Sequence, residues 1–334
     1  MPKKLVTLVS LALALSSAVW IRHGSVPAQS ASDTLDDTLI VGVLRPDGVI
    51  VPFAQYADQK WTNPWHSSQS DDQADQSDTI ADLPKPWFES LLKESKEWYF
   101  WSASGDATTL RTSKTVQVCS HCQQVWGLLS DYPHPKEPEK NACVRNLGIV
   151  LSEKRQARTM EKPTADSPDW KQIMTFIGPE FHLAERVGLS ALVDQQYSAQ
   201  IPAAEERAKV PLSILNLYRS QLTADGQLLF YFEASKEYAK PSAANDAACN
   251  NILLLGGWVL RDVQGNLTLL DFQFEPTDCD MKEGGRILPF AIVQVDGKTF
   301  AIVEEDSYEG EGYDILEIQE DSVHHVLDTY AGSC

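Results

Sequence analysis

The chain has 334 residues, 47 acidic against 28 basic, a net charge of −19 and 43% apolar residues. That is enough apolar material for one or two buried cores. The acidic balance argues against nucleic-acid binding and against docking on anionic membranes, both of which demand basic patches.

The first residues predict an export signal. Lys3 and Lys4 precede an apolar run over residues 5–21, interrupted only by Thr7, Ser10, Ser16 and Ser17. Val26-Pro27-Ala28 sets small residues at the positions that favour cleavage before Gln29, with Ser16-Ser17-Ala18 as a competing site. An uncleaved anchor is the alternative, because the run is close to the lower limit of roughly 17 residues for a spanning helix. The expected division is a signal peptide at 1–28 and a single all-β domain at 29–334. Removing Lys3, Lys4 and Arg22 leaves 25 basic and 47 acidic residues, net −22. The expected location is periplasmic or extracellular, free of the membrane once the signal is cleaved.

Beyond the signal, one phrase recurs: an apolar run, a tight turn, a second apolar run. Asp47-Gly48 joins runs at 39–44 and 49–53. Gly105-Asp106 joins 98–101 and 108–118 more loosely. Asp225-Gly226 joins 214–217 and 228–232, Gly265-Asn266 joins 252–260 and 267–274, and Asp296-Gly297 joins 290–295 and 300–303. Asp-Gly between apolar runs is a strong hairpin signal, since a type I′ turn needs positive φ at both central residues. The fold class expected is therefore all-β, built of antiparallel hairpins. A β-propeller is the first choice, because some intervals between turn glycines match a four-stranded blade; a β-sandwich is the alternative.

A helical insertion near 168–208 interrupts the strands. Ser167-Pro168-Asp169 is an N-cap with Pro at the first helical position. Trp170, Ile173, Met174 and Ile177 follow at helical spacing. Gly178-Pro179 is expected to stop this helix, with a second at 180–192 and a short third at 203–208. Residues 66–78, 132–141 and 238–248 read as polar loops.

The opening, Val43-Leu44-Arg45-Pro46-Asp47-Gly48 running on to Pro52-Phe53-Ala54, resembles the start of uncharacterised exported bacterial β-rich proteins. The resemblance covers about a tenth of the chain. It implies export from a bacterial cell and carries no functional residues.

Six cysteines in an exported chain suggest disulfides. Cys249 and Cys279 are equidistant from the Gly265-Asn266 turn, so a regular hairpin places them opposite each other. A one-residue bulge would offset the pair. Cys119-Ser120-His121-Cys122 is the sharpest local motif. It fits a structural disulfide first, and zinc ligation or a redox pair as alternatives. No second CxxC completes a zinc site, so stoichiometric zinc is not expected, and Cys143 and Cys334 are left with open pairing.

Two further groups of residues suggest ligands. Asp306, Glu309, Glu311 and Asp314 around two glycines suggest a possible calcium site, because calcium takes clustered carboxylates on flexible loops. Asp278, Asp280 and Glu283 form a looser group. Trp61, Trp65, Trp87, Trp98 and Trp101, with Glu89 nearby, would form a sugar platform if exposed and a core if buried. His182 and Glu185 sit one helical turn apart without the second His of a zincin. His324 and His325 fall on opposite faces of a strand. No catalytic constellation and no cofactor motif is legible. The function expected is an exported, non-enzymatic β scaffold binding a protein or glycan partner through its loops. The rival is a carbohydrate-binding or glycoside-hydrolysing protein using the Trp cluster.

Overall fold

The computed structural model describes residues 38–64, 85–94, 97–102, 107–120, 123–133, 146–191, 203–238, 251–278, 286–306 and 311–330. It is mostly β, and every strand pairing is antiparallel.

The N-terminal part comprises β1 (Leu39–Leu44), β2 (Val49–Ala57), β3 (Lys60–Thr62), α1 (Lys85–Glu94), β4 (Glu97–Ser102), β5 (Ala107–Ser120), β6 (Gln123–Ser130) and β7 (Gly148–Leu151). Six of these strands follow the order β1-β7-β4-β5-β6-β2 and close through β1 on β2, from Leu39 opposite Tyr56 to Leu44 opposite Ile50. The result is a closed six-stranded barrel, with β3 added at the far end of β2. Closure removes the unpaired edges an open sheet would leave.

The rest comprises β8 (Ala157–Thr159), α2 (Pro168–Ala191), α3 (Ala204–Arg207), β9 (Ser213–Gln221), β10 (Leu228–Tyr238), β11 (Asn251–Arg261), β12 (Leu267–Asp278), β13 (Arg286–Val295), β14 (Lys298–Asp306), β15 (Glu311–Ile318) and β16 (Val323–Tyr330). Strands β9 to β12 make one four-stranded meander. Strands β13 to β16 make a second, with β8 on the free edge of β13.

Three apolar cores hold these parts together. Val41, Val51, Phe53 and Ile149 of the barrel pack against Ala291, Val293, Phe300 and Ile302 of the β13–β16 sheet. The other face of that sheet, through Ile292, Ala301, Val303 and Leu316, packs on Leu229, Tyr231 and Trp258 of the β9–β12 sheet. The far face of the β9–β12 sheet carries Phe230, Phe232, Leu253 and Val259 under Ile173, Ile177 and Phe181 of α2. The layers run barrel, sheet, sheet, helix. The β13–β16 sheet is covered on both sides, which explains the almost unbroken apolar run Phe290-Ala291-Ile292-Val293.

All four sharp Gly turns predicted from sequence connect paired strands. Asp296 and Gly297 both take positive φ, 51° and 78°, in a two-residue loop between Val295 and Lys298. The looser Gly105-Asp106 pair lies outside the described residues; β4 and β5 on either side of it pair up to Trp101 opposite Ala107.

Two expectations are corrected. The described residues do not form a propeller: the first sheet closes into a barrel, and the remaining two stack face to face. The reason is that β1 pairs with β7, about a hundred residues away, as well as with β2. Gly178-Pro179 also does not end the helix, since α2 continues through Pro179 to Ala191. An internal Pro costs about 3 kcal/mol. Here the ring is exposed while Ile173, Ile177, Phe181 and Ala184 stay buried on one continuous stripe across it. That burial, at roughly 2 kcal/mol for each large apolar side chain, outweighs the break.

Candidate functional site

Buried charge is concentrated on the sheet side of the molecule, and most of it is paired. At the start of α2, Asp169 is bound by Arg219 and by Arg261, the latter at 2.7 Å. Burial pushes the Asp169 carboxyl up, but hydrogen bonds from Arg261 and Arg219 outweigh it and hold the group below the usual carboxylate range. Toward the other end of α2, Glu185 accepts from Tyr238 and lies 3.4 Å from Lys236 Nζ and 3.8 Å from Arg207 Nε. Burial first, then Glu185, drives the Tyr238 hydroxyl pKa far up. Lys236 is 2% exposed and also donates to the Arg207 carbonyl. On the opposite face of β10, Glu233 accepts from Asn216 at 2.5 Å, Tyr231 at 3.2 Å and the Ile287 amide at 3.1 Å. Each cluster joins elements distant in sequence, and each has its charges answered.

One region differs. Strand β9 lies near β13 and β8, so β12 and β16 end the two stacked sheets on the same side, where the gap between the sheets meets edges that are unpaired among the described strands. Strand alternation points Asp314 of β15 toward this gap, together with Leu316. Asp314 is 3% exposed; its Oδ2 lies 3.6 Å from His325 Nδ1, and its Oδ1 has no hydrogen-bond partner among the described residues. Glu305 and Asp328 flank it from β14 and β16, in register with Gly312 and Asp314. Asp271 and Glu275 act on the same groups from β12. Glu305 reaches solvent, yet partial desolvation, then Asp314 and Asp328, raise its carboxyl above the usual range. The close contact with Asp314 raises His325 against an opposing desolvation, aided by the charges of Asp271 and Glu305. Apart from desolvation, the leading influences on both groups are carboxylates and the imidazole itself. This acidic mouth is the candidate site.

Of the predicted calcium group, Asp314 lies at this mouth; positions 306 and 311 pair across β14 and β15, and their side chains lie outside the described residues. Glu309 lies outside the described residues, as do Asp280 and Glu283. Among the described residues, no group of three His, Cys, Asp or Glu side chains is arranged to hold a metal ion.

The tryptophans divide between core and periphery. Trp98 and Trp61 are buried, at 0% and 4% exposure, Trp61 against Tyr56 and Phe300. Trp101 is partly buried against the barrel core. Trp87 is half-buried in α1, the helix that also carries Glu89, whose side chain is outside the description; Trp65 lies outside it altogether. Trp61 and Trp98 thus offer no sugar platform.

Cys119 is in β5, but its side chain, and all of Cys122, Cys143, Cys249, Cys279 and Cys334, lie outside the described residues. The β11–β12 ladder has a bulge at Leu270 and ends with Asn251 opposite Asp278. His182 lies 3.8 Å from Glu185, as its helical spacing implied. Residues 66–78 and most of the other two predicted loops are also outside the description.

Sequence reading missed Glu305, Asp328, Asp271 and Glu275 as companions of Asp314, because they come from three other strands. The available signal was alternation: Asp314 shares a face with Leu316 in an otherwise apolar strand. No family model, no curated protein and no solved structure matches the chain.

Proposed function

We propose that this chain is an exported, non-enzymatic β scaffold that holds a partner at the open side of its two stacked sheets. One observation carries the reading: β12 and β16 both end their sheets at that side, each hydrogen-bonded along one edge only among the described strands. Such edges supply unpaired backbone groups to an added segment. The layered core behind them is a rigid support, and Phe272 of β12 is exposed there, at 40%. Export rests on the N-terminal pattern of Lys3, Lys4 and the apolar run that follows.

A photo-crosslinking residue at position 272, placed in the chain in its native host, tests the proposal. The expected result is one adduct of defined mass, absent when the same residue replaces Val263 at the β11–β12 turn. Equal labelling from both positions, or none from 272, overturns it. Cleavage of chromogenic glycosides that is abolished by Trp101→Ala would establish the carbohydrate reading instead.

A further inference from the structure

We propose that the partner is a protein segment in extended conformation that seats a lysine ammonium on Asp314. This inference rests on the scaffold reading above and names the chemistry of its ligand.

Asp314 is almost wholly buried, and its Oδ1 has no partner among the described residues. A buried carboxylate oxygen in that state requires a donor. Around it stand Glu305 on β14, Asp328 and His325 on β16, and Asp271 and Glu275 on β12. The site therefore selects a cation by charge. A single metal ion fits poorly, since no three of these groups converge on one point. An ammonium suits carboxylates spread along a gap, because it carries three donors on a long flexible stem. A guanidinium fork asks for both oxygens of one carboxylate, and His325 already engages Oδ2.

An extended segment supplies the stem in the right place. Added beside β16, it continues that sheet, and every second side chain then faces the gap on the side of His325 and Asp328. Strand β16 has no proline, whereas β12 carries Pro276, which cannot donate to an added strand. The His325 side chain, 49% exposed, is the local cation that shares Asp314 with the incoming ammonium. Seating an ammonium on Asp314 therefore weakens the attraction by which that carboxylate raises the imidazole pKa.

The test uses the full chain and a synthetic peptide of alternating lysine and valine, seven residues long, with its glutamate–valine counterpart as control. Calorimetry at pH 6.5 and low salt should show binding of the lysine peptide only. Affinity should fall at least tenfold in Asp314→Asn. It should persist in His325→Ala. The His325 titration followed by NMR should move to lower pH when the peptide binds. Glu305→Gln/Asp328→Asn, changed at the exposed rim, should weaken binding even if Asp314→Asn fails to fold. Equal binding of both peptides, no binding of the lysine peptide, or an unmoved His325 titration overturns the inference. So does calcium uptake that depends on Asp314 without peptide binding. The crosslink from position 272 in cells can survive any of these results, so the two readings fail separately.

Discussion

The barrel and the helix-covered sheet solve one problem, burying polar groups, at different ranges. Arg45, 1% exposed, meets Asp47 two residues away at 2.7 Å, within the turn it shapes. Ser130 donates to the Gly48 carbonyl of that same turn. On the helix side, Asp169 reaches Arg219 and Arg261, 50 and 92 positions away, and Glu185 reaches Lys236, 51 away. A barrel that closes on its own strands needs ion pairs only to finish a corner. A helix laid across an open sheet has many apolar positions available to it, and buried pairs at both ends fix one of them. That specificity role is a hypothesis for this molecule, and the following changes test it.

The largest effect is expected at Lys236. Lys236→Ala leaves Glu185 buried without its ammonium, which should cost about 3–5 kcal/mol. Lys236→Met paired with Glu185→Leu should recover most of that loss in chemical denaturation. If it does, and amide exchange in α2 nevertheless rises, the pair specifies position more than it stabilises. Full protection of α2 in the double variant would remove the contrast with the barrel.

Next comes the bridge between Cys249 and Cys279. Both cysteines belong to the β9–β12 half, whereas Cys119, Cys122 and Cys143 belong to the barrel's segment. The bulge at Leu270 offsets the two by one position from the regular hairpin, and Asn251 opposite Asp278 is the last described pair beside them. Non-reducing peptide mapping should find these two joined, with reduction lowering stability by about 3 kcal/mol. Either one linked to a barrel cysteine would show that the halves are stapled to each other.

Acid should then act on the helix side. The folded pKa of Asp169 lies below its unfolded value, so its contribution is present above about pH 4 and is lost as pH falls through the folded value. Asp169→Asn should be less stable than the parent at pH 7, and the gap should shrink below about pH 4. A gap that is constant with pH would mean the carboxylate charge is not what anchors α2.

The smallest change sharpens the picture of the helix. A Cβ added at Gly178 meets nothing within 4 Å. Gly178→Ala should therefore raise the denaturation midpoint by the equivalent of about 1 kcal/mol. A loss would indicate that flexibility beside Pro179 lets α2 follow the sheet.

The hairpins were legible because their turns are local and chemically marked, Asp47-Gly48 and Asp296-Gly297 most plainly. The two-residue turn at Asp58-Gln59, with φ of 50° and 61°, carries no glycine and gave no signal. Barrel closure was hidden because it depends on β1 meeting the short strand β7 far along the chain. The helix was visible from Ser167 onward, but its passage through Pro179 reflects the sheet beneath it, which local pattern does not contain. Lys236 could have been suspected, since alternation sets it on one face with Phe230, Phe232, Ala234 and Tyr238. The acidic mouth could not be assembled, because its groups come from two sheets whose stacking only the folded chain defines.

The covered sheet at β13–β16 also bears on how the protein is made. It follows both the barrel and the β9–β12 sheet along the chain, and it is the wall between them. Until residues 286–330 emerge, the barrel's outer apolar face and the inner face of β9–β12 have no covering. A nascent chain in that interval presents two greasy surfaces at once, the kind of surface that holdase chaperones cover. A chain cut before residue 286 would keep both surfaces bare and be prone to aggregate, so the emergence of this sheet licenses the fold.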